Sequence, residues 1–278
     1  MIYWISLLCL LATTVQGAGF DNSFNQVGGE EIHSFHLMGE RCSGTKFVET
    51  IINNNFNLNY SSQYGHKHFI PWIHPNYLHN RKSIILDSMG TESYYKDSDG
   101  CLFIVIVRDP YDWLRSFYQT PHHVHRTLTK SFTSFTHLQW LSTDPYTPVC
   151  VNDNYNPWTN RPFKNVLELR KYKYLNYLNV RHFVKNYLFV RYEDVRDDQA
   201  GFIEFLTNQY RLKPKGQIKL IHYYVNHNAQ DVNKSFKKSK YFNIKSHHLK
   251  HINSKLDWVL ENLMEYSEKT NKTLRTSQ

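Results

Sequence analysis

The sequence predicts an α/β fold: a three-layer domain with a central parallel sheet flanked by helices. A continuous apolar run rich in β-branched residues, typical of a buried parallel strand, occupies residues 101–107, and further strands are predicted over 32–38 and 187–191. Segments with helical spacing of apolar residues separate these runs, so strands and helices alternate along the chain. A chain of 278 residues can bury one sizeable core, and we expect a single domain over residues 30–278.

The first predicted strand, 32–38, leads into a loop that begins at Gly39 and closes at Gly44, and a helix is predicted over 46–54. This layout is P-loop-like, because backbone N–H groups and a helix N-terminus face an anion in such a loop. Thr45 and Lys46 stand in the reverse of the Walker A order, in which a lysine precedes a Mg²⁺-binding hydroxyl. We therefore expect a phosphorylated nucleotide, bound in a manner that need not involve Mg²⁺.

A short strand is predicted over 83–86, and the strongest strand, 101–107, runs directly into Arg108. Asp109 suits an N-cap and Pro110 suits the first helical position, so a helix begins there. Arg108 then lies at the carboxyl end of a central strand, and Ser116 lies about two turns along the next helix. The two side chains are positioned to converge on one phosphate.

The remaining elements follow from periodicity. Helices are predicted over 131–141, 166–184 and 195–210, and a last helix with an apolar stripe over 249–263. Residues 143–162 are rich in Pro, Asn, Asp and Tyr, which indicates a long loop suited to shaping a binding pocket.

Charge and the N-terminal segment bound the class of protein. A net charge of +9 and a pI near 9.2 suit an anionic cofactor and an anionic polymer. The chain has no zinc-finger spacing, RNP motif or continuous basic helix, so nucleic acid is not the expected partner. Residues 1–17 are typical of a secretory signal, which is either cleaved or retained as an anchor. The signal predicts a protein that is secreted or held in the Golgi lumen, and we expect no membrane span after cleavage.

Cysteines and sequons fit that location. After cleavage Cys42, Cys101 and Cys150 remain, an odd number that cannot form a full set of disulfides, and a Cys101–Cys150 bridge stays open. Asn59, Asn233 and Asn271 each begin a glycosylation sequon, which predicts surface glycans on a secreted chain.

Taken together, these motifs resemble the PAPS-dependent sulfotransferases, PAPS being 3′-phosphoadenosine 5′-phosphosulfate. The first loop resembles the family's K-S-G-T-T or R-S-G-T loop, and Arg108 with Ser116 matches its R-D-P-x-x-x-x-x-S segment. Lys67-His68-Phe69-Ile70-Pro71 resembles the family's K-H-x-x-P element, and Tyr192-Glu193-Asp194, after an apolar strand, resembles its Y-E-D element. The resemblance runs in order from about residue 32 to residue 206.

The resemblance implies PAPS as sulfuryl donor, no metal, and a carbohydrate or glycoprotein acceptor. Residues 42–45 (Cys42, Ser43, Gly44 and Thr45) and Lys46 would hold the 5′-phosphosulfate, Arg108 and Ser116 the 3′-phosphate, and Tyr192 would lie near the adenine. His68 would act as the base, with Glu40 and Glu92 as carboxylate alternatives. Cys42 stands where the family has its loop cation, so Arg41, Lys46 or Lys67 would neutralise the leaving oxygen.

Other functions remain open. A P-loop kinase using ATP and Mg²⁺ is disfavoured by the missing G-K-[ST] order, while Cys42 keeps a catalytically weak sulfotransferase-like binding protein in view. The clusters at His122–His125 and His247–His251 are interpreted as surface histidines, because no H-E-x-x-H motif or cysteine pair accompanies them. The lysine run at 234–240 is either a solvated loop or a contributor to the 3′-phosphate site.

Overall fold

The protein is represented by a computed structural model that describes residues 19–69, 71–73, 91–142, 153–222 and 241–270. The predicted signal segment, the strand at 83–86, the first part of the loop at 143–162 and the lysine run lie outside the described residues. The same holds for Cys150 and for the sequons at Asn233 and Asn271.

A four-stranded parallel sheet forms the centre of the domain, which confirms the predicted fold class. Its strands are β1 (Ser34–Met38), β2 (Asn59–Tyr60), β3 (Cys101–Val107) and β6 (Asn186–Arg191), in the order β2-β1-β3-β6. A separate antiparallel pair joins β4 (Tyr155–Asn156) to β5 (Arg161–Pro162). Because the central strands are parallel, β1 and β3 deliver the residues that follow them to the same edge of the sheet.

Helices cover the sheet. They are α1 (Thr45–Asn55), α2 (Thr91–Tyr95), α3 (Pro110–Gln119), α4 (Phe132–His137), α5 (Val166–Asn179), α6 (Tyr192–Asp197), α7 (Gln199–Gln209), α8 (Ser246–Lys255) and α9 (Trp258–Leu263). As predicted, Asp109 caps α3: its carboxylate accepts hydrogen bonds from the N–H groups of Tyr111 and Asp112, and Pro110 occupies the first turn.

The core lies on both faces of the sheet. Leu102, Ile104 and Ile106 of β3 pack with α1 and α7 on one face, and the alternating residues Phe103 and Val105 pack with α5 on the other. All seven residues of β3 are buried, which explains why its sequence is continuously apolar instead of alternating.

Several predicted helices are shorter than their apolar periodicity suggests. The segment 195–210 is divided at Asp198, whose carboxylate accepts from Gly201 N–H, and 249–263 is divided before Asp257, which accepts from Leu260 N–H. In both cases an acidic side chain begins a new helix by satisfying its free N–H groups. The segment 131–141 forms only α4, and 166–184 ends as α5 followed by a 3₁₀ turn at Val180–His182.

Two further predictions concern the surface and the cysteines. The Cys101 thiol is buried and unpaired among the described residues, and the alternative of a Cys101–Cys150 bridge involves a residue outside them. Asn59 is exposed on β2, where its sequon is accessible. Within the described ranges, the helices all lack the length and apolarity that crossing a membrane requires.

Candidate functional site

The loop between β1 and α1 has the backbone geometry of an anion cradle. Gly44 adopts the left-handed conformation with φ of 99°, and a Cβ there would lie 2.2 Å from Cδ2 of Tyr192. A Cβ at Gly39 would lie 2.6 Å from the Ser43 hydroxyl and 2.9 Å from the Ile106 carbonyl. Among the described residues no side chain caps α1, and its first turn holds no acidic residue, so this helix end keeps the positive electrostatic potential that favours an anion.

Cys42 shapes this loop through its backbone. Its φ of 62° is also left-handed, and its carbonyl accepts a hydrogen bond of 2.8 Å from Nη1 of Arg108. Burial raises the pKa of the Cys42 thiol to about 11, although the nearby charge of Arg108 opposes the shift. The side chains of Ser43 and Thr45 are buried within the loop, and the Ser43 N–H donates to the Glu40 carbonyl at 3.0 Å.

Arg41 is placed differently from its predicted role. Its guanidinium is fully buried and ion-paired, with Nε 2.6 Å from Oε1 of Glu40 and Nη2 2.5 Å from Oδ2 of Asp153. The rings of Phe69, Phe117 and Trp140 surround it. The structure does not bring Arg41 to the outer face of the loop, because its charge is used to hold the loop onto the body of the protein. The same contacts engage Glu40, whose carboxylate is buried against Arg41.

Lys46 and Lys67 lie together on Glu49. Each Nζ is 3.1 Å from a different carboxylate oxygen of Glu49, so one acidic group holds two ammonium groups beside the loop. Burial alone would raise the pKa of Glu49, but Lys67 and Lys46 outweigh it and hold that pKa below its ordinary value. Lys46 is 38% exposed and Lys67 is 15% exposed, so both stay accessible to a ligand.

His68 is fixed against the loop in a defined tautomer. Nδ1 lies 2.6 Å from the carbonyl oxygen of Gly39, and the N–H of Gly39 donates to the Lys67 carbonyl at 3.0 Å. A carbonyl only accepts, so Nδ1 carries the proton and the neutral ring has its lone pair on Nε2. Burial lowers the pKa of His68 well below its ordinary value, against the opposing effect of the Gly39 hydrogen bond. His68 is therefore neutral at pH 7, with Nε2 ready to accept a proton.

Arg108 differs from the other buried arginines. Within the described part of the chain, Arg41, Arg115 and Arg170 each pair with a carboxylate, whereas no carboxylate lies within ion-pair distance of Arg108. Nη1 donates to the hydroxyl of Ser116 at 3.3 Å, and Nε is buried without a hydrogen-bond partner. As predicted from their spacing, Arg108 and Ser116 meet at the carboxyl end of β3.

Two tyrosines enclose the Arg108 guanidinium. The ring of Tyr192, at the start of α6, lies 4.6 Å from it and also packs against Gly44 and Phe47. Tyr241 accepts a hydrogen bond from Nη2 of Arg108, and its ring also lies over Arg115. Sequence reasoning missed Tyr241, because nothing in the sequence near residue 241 indicates a contact with a residue so far along the chain.

The histidine clusters take up packing positions. The carbonyl of His123 accepts from Arg41, and the ring of His251 stacks on that of His137 with centroids 3.4 Å apart. Among the described residues, no group of three or more His, Cys, Asp or Glu side chains is arranged to hold a metal ion.

The sequence-predicted residues thus form two adjoining groups at one edge of the sheet. The loop, Lys46, Lys67 and His68 make up one, and Arg108, Ser116 and Tyr192 make up the other. No protein-family model, curated protein or solved structure matches this chain.

Proposed function

We propose that this protein is a PAPS-dependent sulfotransferase that acts on a hydroxyl or amine of a carbohydrate or glycoprotein. The observation that carries the proposal is the buried guanidinium of Arg108, which forms no ion pair with a carboxylate of the described residues and lies beside a phosphate-type loop. A buried charge is costly unless an opposite charge accompanies it, and the chain supplies such partners for Arg41, Arg115 and Arg170. The residues around Arg108 therefore fit an anionic group brought by a ligand.

Two anion-binding groups support a nucleotide with phosphates on both sides of its ribose. The uncapped N-terminus of α1 suits the 5′-phosphosulfate, and Arg108 with Ser116 suits the 3′-phosphate. The ring of Tyr192 lies between the two groups, against Gly44 on one side and Arg108 on the other. ATP lacks the 3′-phosphate, so Arg108 favours PAPS over ATP.

The bound donor supplies the sulfuryl group, and this chain supplies positioning and charge. Nε2 of His68 takes the proton of the acceptor as the new bond to sulfur forms. Lys46 and Lys67 neutralise the charge that develops on the phosphate oxygen as its bond to sulfur breaks. Glu49 holds both ammonium groups beside the loop, which places this charge without the loop cation that Cys42 replaces.

A second candidate is a sulfotransferase-like protein that binds the nucleotide but transfers slowly. Cys42 lacks the positive charge, and the neighbouring Arg41 is buried in ion pairs, so the loop itself contributes no cation at this point. A kinase is not favoured. Arg108 directly follows β3 and Arg191 ends β6, at positions where a kinase of the P-loop type would place a metal-binding aspartate.

Ligand-induced thermal shifts test the nucleotide. A ligand that binds only the native state raises the melting temperature, so 3′,5′-ADP should give a larger shift than 5′-AMP, or than ATP with Mg²⁺. Equal shifts with 3′,5′-ADP and 5′-AMP would remove the proposal. Transfer of labelled sulfate from PAPS to a panel of glycans then separates an enzyme from a binding protein.

A further inference from the structure

We propose that Lys173 is a positioning residue for His68, and that it links the base to the phosphate loop through Asp153 and Arg41. This inference rests on the proposed function for its kinetic consequence. Its structural basis is a set of contacts from one face of α5 to the segment that carries His68.

The main chain of the His68 segment is held by three side chains at helical spacing. Lys173 and Tyr177 both donate to the carbonyl of His68, the phenol at 3.2 Å. Asn176 donates to the carbonyl of Pro71 at 3.1 Å and accepts from the N–H of Ile73. Residues three and four positions apart share a helix face, so α5 presents a row of polar groups to this segment.

The other side of His68 is fixed to the loop. Its Nδ1–H donates to the Gly39 carbonyl, and Gly39 N–H donates back to the Lys67 carbonyl. The base is therefore clamped between the loop and α5. A shift of its carbonyl away from Lys173 would also move the imidazole relative to Gly39.

Lys173 belongs to a buried network of four charges that sums to zero. Its Nζ lies 3.4 Å from Oδ2 of Asp153, the same oxygen that contacts Arg41, and Arg41 in turn pairs with Glu40. Lys173 is 2% exposed and its ammonium lies over the rings of Phe69 and Trp72. The chain Arg41–Asp153–Lys173–His68 connects the loop backbone to the backbone of the base.

A purely structural role does not require a charge at this position. Replacing a buried ion pair by apolar side chains of similar volume is often neutral or stabilising. The hydrogen bond from the Lys173 ammonium to the His68 carbonyl gives a reason for a lysine at this position, since a methionine has no donor to replace it.

The test compares Lys173→Met, the double variant Asp153→Asn/Lys173→Met and Tyr177→Phe with the wild type. The double variant removes one charge of each sign and leaves the Glu40–Arg41 pair, so it should regain the stability that the single variant loses. Tyr177→Phe removes the other donor to the His68 carbonyl without changing charge. Lys171→Met is the matched control, because Lys171 lies on the same helix, is 39% exposed and pairs with Asp257.

We expect kcat to fall by roughly ten- to a hundredfold in Lys173→Met and in the double variant, with the affinity for 3′,5′-ADP within about twofold of wild type. The NMR signal of the hydrogen-bonded Nδ1–H of His68, assigned with His68→Gln, should weaken or move in both variants. Tyr177→Phe should show the same changes at smaller size, and Lys171→Met should show neither.

A double variant that is stable and keeps the wild-type Nδ1–H signal and kcat would overturn the inference, since Lys173 would then serve folding alone. Loss of 3′,5′-ADP affinity in parallel with kcat would also overturn it, because the network would then act on the loop as a whole. The NMR signal does not depend on activity. A wild-type protein that neither prefers 3′,5′-ADP nor transfers sulfate therefore contradicts the proposed function, while the signal still tests the positioning role.

Discussion

Replacing Arg108 by methionine should remove the nucleotide preference at little cost to the free protein. Methionine keeps much of the length of the side chain and removes the guanidinium. Hydrogen bonds between charged groups contribute about 1.5–3 kcal/mol each, so losing the contact with a 3′-phosphate should weaken 3′,5′-ADP binding by roughly ten- to a hundredfold. Binding of 5′-AMP, which has no 3′-phosphate, should change little.

The stability of the free protein provides the second half of this prediction. Among the described residues Arg108 has no carboxylate to leave unpaired. Its loss frees the Cys42 carbonyl, at a cost of about 1 kcal/mol, and the hydroxyls of Ser116 and Tyr241, which can reorient. Arg170 is the matched control: it is fully buried and makes two contacts of 2.6 and 2.9 Å with Glu261. Removing one partner of a buried pair typically costs about 3–5 kcal/mol, so Arg170→Met should be far less stable.

Calorimetric titration with the two nucleotides and urea unfolding of the ligand-free variants measure both quantities. The reasoning is refuted if Arg108→Met loses affinity for 3′,5′-ADP and 5′-AMP equally, since the side chain would then support the whole site. It is also refuted if Arg108→Met destabilises the free protein as much as Arg170→Met does, because Arg108 would then be an ordinary structural residue.

Further predictions follow from the loop and its neighbours. The rate of sulfate transfer should stay high at pH values well below 6.5. Burial lowers the pKa of His68, and the imidazole is protonated, and so inactive as a base, only below that pKa. A rate that falls to half its maximum near pH 6.5 would contradict this prediction. Gly44→Ala should weaken 3′,5′-ADP binding and destabilise the free protein, since the new methyl would meet Tyr192 and φ is positive. Urea unfolding of Gly44→Ala, Tyr192→Ala and the double variant would separate the clash from the backbone strain, and an unchanged stability in Gly44→Ala would contradict the prediction. Sulfate transfer should persist in EDTA, and its complete, reversible loss on chelation would contradict the metal-free mechanism. Burial lowers the pKa of His36 to about 4, so below pH 6.5 the unfolded chain binds a proton that the native protein does not. As the pH falls from 7 to 4, this residue should lower the free energy of unfolding by about 3 kcal/mol. His36→Phe should reduce that dependence on pH, measured by urea unfolding at several pH values.

The parts of the fold that could be predicted from sequence depend on neighbouring residues. The apolar run of β3 and the cap at Asp109-Pro110 each specify their local structure within a few positions. The predicted helices over 195–210 and 249–263 are longer than the observed ones, because the apolar periodicity continues past Asp198 and Asp257. The carboxylates of these two residues cap new helices there.

Side-chain roles were predictable only where spacing along one element fixed them. Arg108 and Ser116 are eight positions apart across one strand end and one helix, and they meet as expected. The partner of Arg41 is Asp153, which lies 112 positions away, and the partner of His68 is Lys173, which lies 105 positions away. Neither contact leaves a local signal in the sequence, so the burial of Arg41 and the support of His68 required the structure.

Arg41 and Arg108 show why residue type near a phosphate loop does not identify the ligand-binding cation. Both are buried arginines at the same edge of the sheet, one within the loop and one beside it. Glu40 and Asp153 neutralise Arg41, so an approaching phosphate would gain little from it, whereas Arg108 has no such carboxylate among the described residues. The positive charges nearest the loop that lie partly exposed are those of Lys46 and Lys67, and both contact Glu49. Arg41 therefore anchors the loop, and under the proposed function the lysine pair on Glu49 takes the role of the loop cation.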